Sequence, residues 1–180
     1  PVVLGMMTRL VEYKGTHLLI DAVTLLKRRG FDIKLLIAGD GEEKENLIQK
    51  TQFLGLENEI QFLGWIDLEE KKTFYQSIDI AVVPTMNDTQ PLAILDAFAW
   101  GKPVVASDHI SVQQIIRHGE NGLMTKCGDV SDLADQLQKL IKNPNFLQEL
   151  SKISYSEAVE KYSDLVIARK LSKFVESCRR

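Results

Sequence analysis

Residues 2–41 read VVLGMMTRLVEYKGTHLLIDAVTLLKRRGFDIKLLIAGDG. The stretch opens on an apolar run and closes on a second one, Ile33 through Ala38. Between them Leu18, Leu19, Ala22, Val23, Leu25 and Leu26 recur at helical spacing, and Gly30 stands where a helix is commonly stopped. A strand, a helix and another strand in so short a span form the unit of a parallel sheet, whose strands must be joined by crossovers. Both runs are nearly continuous in Val, Ile, Leu and Met, as in strands covered on both faces.

The same alternation continues outward. Short apolar runs at 59–63, 80–84, 103–107 and 122–125 join 2–7 and 33–38 as candidate strands. Helical patterns lie at 16–29, 42–54, 68–77, 91–100 and 131–142. Pro91 suits a first helical turn, where its missing N–H has no partner to lose, and Asn143-Pro144 closes the fifth helix. Two further helical stretches, 146–161 and 164–178, follow with no strand between them. The expected fold is α/β, a doubly wound parallel six-stranded sheet. Residues 1–143 would form the sheet domain and residues 144–180 a helical tail of the same domain. No internal repeat, low-complexity segment or Gly/Ser linker divides the chain.

Composition narrows the function. The chain has 180 residues, 44% hydrophobic and 26% charged, ordinary for a globular domain. Lys plus Arg is 22 against 25 for Asp plus Glu, a formal charge of −3, so no basic surplus exists to neutralise nucleic-acid phosphates. Cys127 and Cys178 are far apart and lack metal-ligand spacing, which points to a reducing cytoplasm rather than a disulfide framework. No apolar run approaches the ~18 residues of a membrane span. The chain starts inside a strand without an initiator Met, as expected of a piece of a longer protein.

In open α/β sheets ligands sit beyond the carboxyl ends of strands. The loop after the first strand puts Arg9 and Lys14 just before a helix start, a candidate anion site suited to a diphosphate. On spacing alone, two solvated surface cations fit as well. Ala38-Gly39-Asp40-Gly41 lacks the third glycine of a dinucleotide fingerprint, and reads as a tight turn with Asp40 capping the next helix. After the fourth strand, Asp88 in the loop and Asp96 in the following helix are acceptors suited to sugar or ribose hydroxyls. Between them the N–H groups of Leu92 and Ala93 could hold a phosphate. Alternatively Asp88 is a turn residue and Asp96 is solvated, yet a carboxylate among Leu92, Ala93, Leu95, Ala97, Phe98 and Ala99 needs a partner. His17, His109 and His118 fall apart from one another, so no metal site is expected. Neither a Gly-x-Ser-x-Gly elbow nor a P-loop motif occurs. Trp65, Phe62, Phe74 and Tyr75 read as packing residues rather than a base-stacking platform.

Taken in order, these motifs resemble the C-terminal, nucleotide-sugar-binding half of GT-B glycosyltransferases of the retaining group called family four. The resemblance runs from Leu4 to Lys142 through Arg9-Leu10 and Lys14-Gly15, Leu36 to Gly41, Ile60 to Gly64, Asp79 to Pro84, and the Asp88/Asp96 pair. It closes with Ala97 to Ser107 and Asn121-Gly122-Leu123. It implies a Rossmann-like domain in which Arg9 and Lys14 grip the donor's pyrophosphate. Asp88 would meet donor-sugar hydroxyls and Asp96 the ribose, at the positions of two family glutamates eight residues apart. Thr89, Gln90, Leu92 and Ala93 would line the sugar and phosphates, and Ile66 would approach the base through its backbone. Arg9, Lys14 and Asp88 would be the catalytic set, with no metal or other cofactor required.

The implied activity is transfer of a sugar from a UDP-, GDP- or ADP-sugar to an acceptor with retained configuration, in glycan or cell-surface polysaccharide synthesis. The acceptor would bind an N-terminal domain absent from this piece. The tail's apolar face would then be exposed, a source of homodimers. The resemblance also implies a cytoplasmic protein, with any attachment to the inner membrane made by the absent half. Four departures stand out: Thr8 replaces a usual Gly, both glutamates are Asp, Thr89 and Pro91 replace glycines, and 110–114 lacks an expected Gly-Gly-x-x-Glu. They leave open a catalytically silent nucleotide-binding or docking module. A nucleotide-sugar epimerase or glycogen-synthase relative is a further alternative, and a dinucleotide oxidoreductase the weakest.

Overall fold

A computed structural model describes residues 1–89 and 91–178. Six strands form one parallel sheet: β1 (Val2–Met7), β2 (Ile33–Ala38), β3 (Ile60–Gly64), β4 (Ile80–Val83), β5 (Val104–Ser107) and β6 (Leu123–Thr125). Their order across the sheet is β3-β2-β1-β4-β5-β6, so the direction of winding reverses between β1 and β4. The helices are α1 (Thr16–Arg28), α2 (Lys44–Phe53), α3 (Leu68–Ser77), α4 (Leu92–Ala99), α5 (Ile110–Gln113), α6 (Val130–Lys142), α7 (Pro144–Glu157) and α8 (Asp164–Cys178).

Both faces of the sheet are covered, and the period-2 alternation of side chains sorts the core into two layers. Ile33, Leu35 and Ile37 of β2 pack with Leu19, Ile20, Val23 and Leu26 of α1 and Leu133, Leu137 and Leu140 of α6. Ala38, Ala81, Val104 and Ala106 turn the other way, onto Phe74, Tyr75, Ile94, Phe98 and Val112. Phe62 is half-buried against the first layer, while Trp65 is 83% exposed and packs in neither, contrary to its reading as a packing residue.

Local chemistry sets the element ends. Asp67 and Glu70 form a reciprocal capping box at the start of α3. Asn143 ends α6 and also caps α7, its Oδ1 accepting from the Phe146 N–H, with Pro144 at the first helical position. Asp40 does not cap α2, which starts at Lys44. Its carboxylate instead accepts from the Gly41 N–H at 2.8 Å and pairs with Lys44 at 2.7 Å, and these two partners, Lys44 first, hold its carboxyl below the ordinary value. The short α5 carries too few residues to show a helical period.

The tail is tied back onto the sheet domain. The Ser151 hydroxyl donates to the Gly101 carbonyl, and α7 ends in a π-helical turn at Ala158–Tyr162. Glu157 is buried; its carboxylate accepts from Arg117, from Asn121 Nδ2 at 2.7 Å and from Lys161 at 3.0 Å. Burial acting alone would raise this carboxyl, but the three donors more than offset it and hold it at about 2, below its ordinary 4.5. A carboxyl depressed on folding adds stability above its ordinary value, and that stability is lost as pH falls toward the folded one. Glu157→Gln is therefore expected to cost about 2 kcal/mol at pH 7. Urea unfolding at a series of pH values should show the difference from the parent closing between pH 4.5 and 2.

Beyond this knot, α8 leaves Leu165, Leu171, Phe174 and Val175 largely exposed. No helix of the described residues is long and apolar enough to cross a membrane.

Candidate functional site

A cavity of about 330 Å³ opens above the carboxyl ends of β1 and β4, where the sheet reverses direction. Arg9, Tyr13 and Lys14 reach it from the loop after β1, Thr85 and Asp88 from the loop after β4, and Pro91, Leu92 and Ala93 from the start of α4. The two loops are stitched together by backbone: the Met86 N–H donates to the Tyr13 carbonyl at 2.7 Å. The buried Thr85 hydroxyl reaches the Asn87 carbonyl at 3.1 Å and the Tyr13 carbonyl at 3.3 Å.

Lys14 Nζ pairs with Asp88 Oδ2 at 2.5 Å, both side chains mostly shielded from water. The exposed Arg9 guanidinium donates to the Tyr13 hydroxyl at 2.8 Å. Arg9 carries five donors and Lys14 three, so both retain donors for an anion after these contacts. The cavity therefore offers two cations, one of them already balanced by a carboxylate.

The helix end that faces the cavity is that of α4. Pro91, Leu92 and Ala93 line it, so the orphan N–H groups of the first turn and the positive end of the dipole lie at its edge. The start of α1, which the sequence placed beside the cations, does not line the cavity; its N-cap Gly15 packs closely on Pro84, whose carbonyl oxygen would lie 2.0 Å from a Cβ there.

Asp96 is on α4 but lines a neighbouring cleft of about 680 Å³. There it has the partner its apolar surroundings demand: Lys71 Nζ of α3, at 2.7 Å from Oδ2. Leu92 borders both spaces, Asp88 lining one and Asp96 the other. Burial first, and the charge of Asp96 second, push the Tyr75 hydroxyl well above its ordinary value, so Tyr75 stays neutral beside this pair. Its ring stacks on Trp100 at 6.1 Å.

The remaining expected site residues are more dispersed. Ile66 is half-buried against the second core layer, and Thr89 lines a third groove with Leu95, Ser111 and Gln114. Gln90 lies outside the described residues. His109 caps α5 through Nδ1, and His118 Nδ1 accepts from the Met124 N–H at 2.9 Å. Among the described residues no three His, Cys, Asp or Glu side chains gather as metal ligands. Sequence reasoning missed Tyr13, Thr85 and Lys71. Tyr13 carried the one available signal, lying four residues after Arg9 and directly before Lys14.

The family model of glycosyl transferases group 1 matches residues 1–157. The chain is 32% identical over 163 residues to the lipopolysaccharide core biosynthesis glycosyltransferase LpsE of Rhizobium meliloti, covering 91% of this chain and 46% of that one. It is 33% identical over 165 residues to the phosphatidyl-myo-inositol mannosyltransferase of Mycobacterium leprae, covering 91% and 43%. Among solved structures, Anabaena Alr3699/HepE in complex with UDP superposes with a TM-score of 0.89 at 25% identity, over 97% of this chain and 48% of that one. The C-terminal domain of a glycosyl transferase group 1 family protein (LpcC) from Francisella tularensis gives a TM-score of 0.82 at 27% identity, over 91% and 87%. The chain thus spans about half the length of the curated relatives it matches.

Proposed function

Because the chain belongs to the glycosyl transferases group 1 family, we propose that it is the donor-binding half of a retaining glycosyltransferase. The observation that carries this reading is the cavity at the β1/β4 reversal, where two cations, a carboxylate and a helix N-terminus converge. Arg9, Lys14 and the start of α4 would bind the diphosphate of a UDP-, GDP- or ADP-sugar and stabilise its charge as it leaves. Those groups supply the positive charge without a metal or other cofactor. Asp88 would accept hydrogen bonds from donor-sugar hydroxyls, aided by backbone groups of Thr89 and Gln90. The nucleoside would lie beyond the diphosphate, with Asp96 on the ribose and the backbone at Ile66 on the base.

In the transfer, the bond from the anomeric carbon to the diphosphate oxygen breaks and a bond to the acceptor oxygen forms on the same face. The acceptor's proton passes to the departing phosphate. The acceptor would sit on an N-terminal domain in the rest of the protein, and the exposed apolar side of α8 is available for that domain, or for a second copy when it is absent. The names of the relatives favour a lipid-linked or cell-surface glycan product. A cytoplasmic location follows from such donors, with any contact to the inner membrane made by the other half.

A second reading, a silent nucleotide-binding or docking module, is favoured by α5. There Ser111 and Val112 are buried in the segment that lacks the Gly-Gly-x-x-Glu expected by resemblance. Calorimetric titration of this chain with UDP, GDP, ADP and NADH tests donor binding, and sugar transfer by the full-length protein, absent for a silent module, separates the two readings. One diphosphate is expected to bind, about tenfold more weakly in Arg9→Ala and in Asp96→Ala, with no transfer by this chain alone. Binding of none of them would reject the donor-domain reading, and preference for NADH would replace it.

A further inference from the structure

We infer that Tyr13 is the positioning residue of the cavity, aligning both cations for a diphosphate. The inference rests on the donor-binding reading above and adds to it a side chain that the motifs do not single out. Three different parts of Tyr13 are engaged. Its hydroxyl accepts from Arg9 Nη2 at 2.8 Å. Its ring lies under Lys14, with Nζ at 5.5 Å from the centroid. Its carbonyl accepts from the Met86 N–H at 2.7 Å and from the Thr85 hydroxyl at 3.3 Å, in the loop that carries Asp88.

The physical need for such a residue is clear on the Arg9 side. Arg9 is exposed, and a free arginine loses much rotamer entropy when it is fixed on a ligand. A hydrogen bond from one Nη atom to Tyr13 restricts the guanidinium before the anion arrives and leaves the other N–H groups free for phosphate oxygens. On the other side the tyrosine ring offers its negative face to the Lys14 ammonium, which also pairs with Asp88. Tyr13 is 39% exposed and lines the cavity wall, so its hydroxyl contributes little to the core. The backbone stitch to Thr85 and Met86 is independent of the side chain.

The test is a double-mutant cycle read by calorimetry, with inorganic pyrophosphate and with UDP, GDP and ADP as probes. Tyr13→Phe removes only the hydroxyl and is expected to weaken binding about fivefold. In the Arg9→Ala background the same change should have no further effect, because the group it positions is gone. The thermal midpoint of Tyr13→Phe should match that of the parent, which a merely structural tyrosine would not give. Wild-type binding with equal losses from Tyr13→Phe in both backgrounds, or no loss at all, overturns the inference while leaving the donor-binding reading intact. Absence of wild-type binding to every probe overturns both.

Discussion

Gly39→Ala is expected to lower the thermal midpoint by about 10 °C. Gly39 follows β2 with φ 131°, and a Cβ there would fall 1.8 Å from the Thr8 carbonyl oxygen. No rotamer relieves that contact, because both partners are backbone. The neighbouring strand exits are locked together: the Thr8 N–H donates to Ala38, the Gly39 N–H to Gly64 at 2.7 Å, and the Leu10 N–H to Asp40. Admitting the methyl group means breaking some of these bonds, at a total of about 3–4 kcal/mol. Gly30→Ala is the control. Its φ is 87°, but nothing lies within 4 Å of a Cβ there, so only the left-handed backbone term of about 1 kcal/mol remains. Calorimetric unfolding of both variants checks the difference. Equal losses would show that backbone conformation, and not the approach of Thr8, fixes glycine at position 39.

The second large effect concerns the Lys14–Asp88 pair and has opposite signs for its two members. Lys14→Met is expected to weaken diphosphate binding about a hundredfold. It removes a cation from the cavity wall and leaves the Asp88 carboxylate facing the ligand without the charge that balanced it. Asp88→Asn keeps the cation and removes the repulsion, so the bare diphosphate should bind several-fold more tightly. The complete sugar donor should gain less, since an amide accepts fewer hydrogen bonds from sugar hydroxyls than the carboxylate it replaces. Lys14→Met/Asp88→Asn restores neutrality and with it the stability lost in Lys14→Met, yet it should not restore binding. Titration of all three variants with the diphosphate, beside their thermal midpoints, separates a ligand-binding cation from one that merely balances Asp88. Unchanged affinity in Lys14→Met would remove Lys14 from the site.

Much of the local structure was legible because it depends on neighbours in sequence. The alternation of apolar runs with helical periods places every strand of the sheet within one or two residues. Caps and turns were less legible. Asp40 looks like a helix cap in sequence, but Lys44 and the Gly41 N–H claim its carboxylate. Trp65 looks like a core residue by type, and nothing in its own sequence says that the chain leaves it outside.

The sequence by itself determined that this chain is an α/β domain with short strands buried on both faces, and that cations follow one strand while carboxylates follow another. Only the tertiary structure decided that those strands are adjacent. The order β3-β2-β1-β4-β5-β6 sets β4 beside β1 across two intervening units, and so brings Lys14 to Asp88, 74 positions away. It also decided which helix lines the cavity, the start of α4 and not that of α1. Lys71 was likewise invisible as the partner of Asp96. The physical reason is common to all three. Periodicity tells which face of an element is apolar, whereas the crossover connections choose which elements meet, and side-chain partners far apart in sequence follow from that choice.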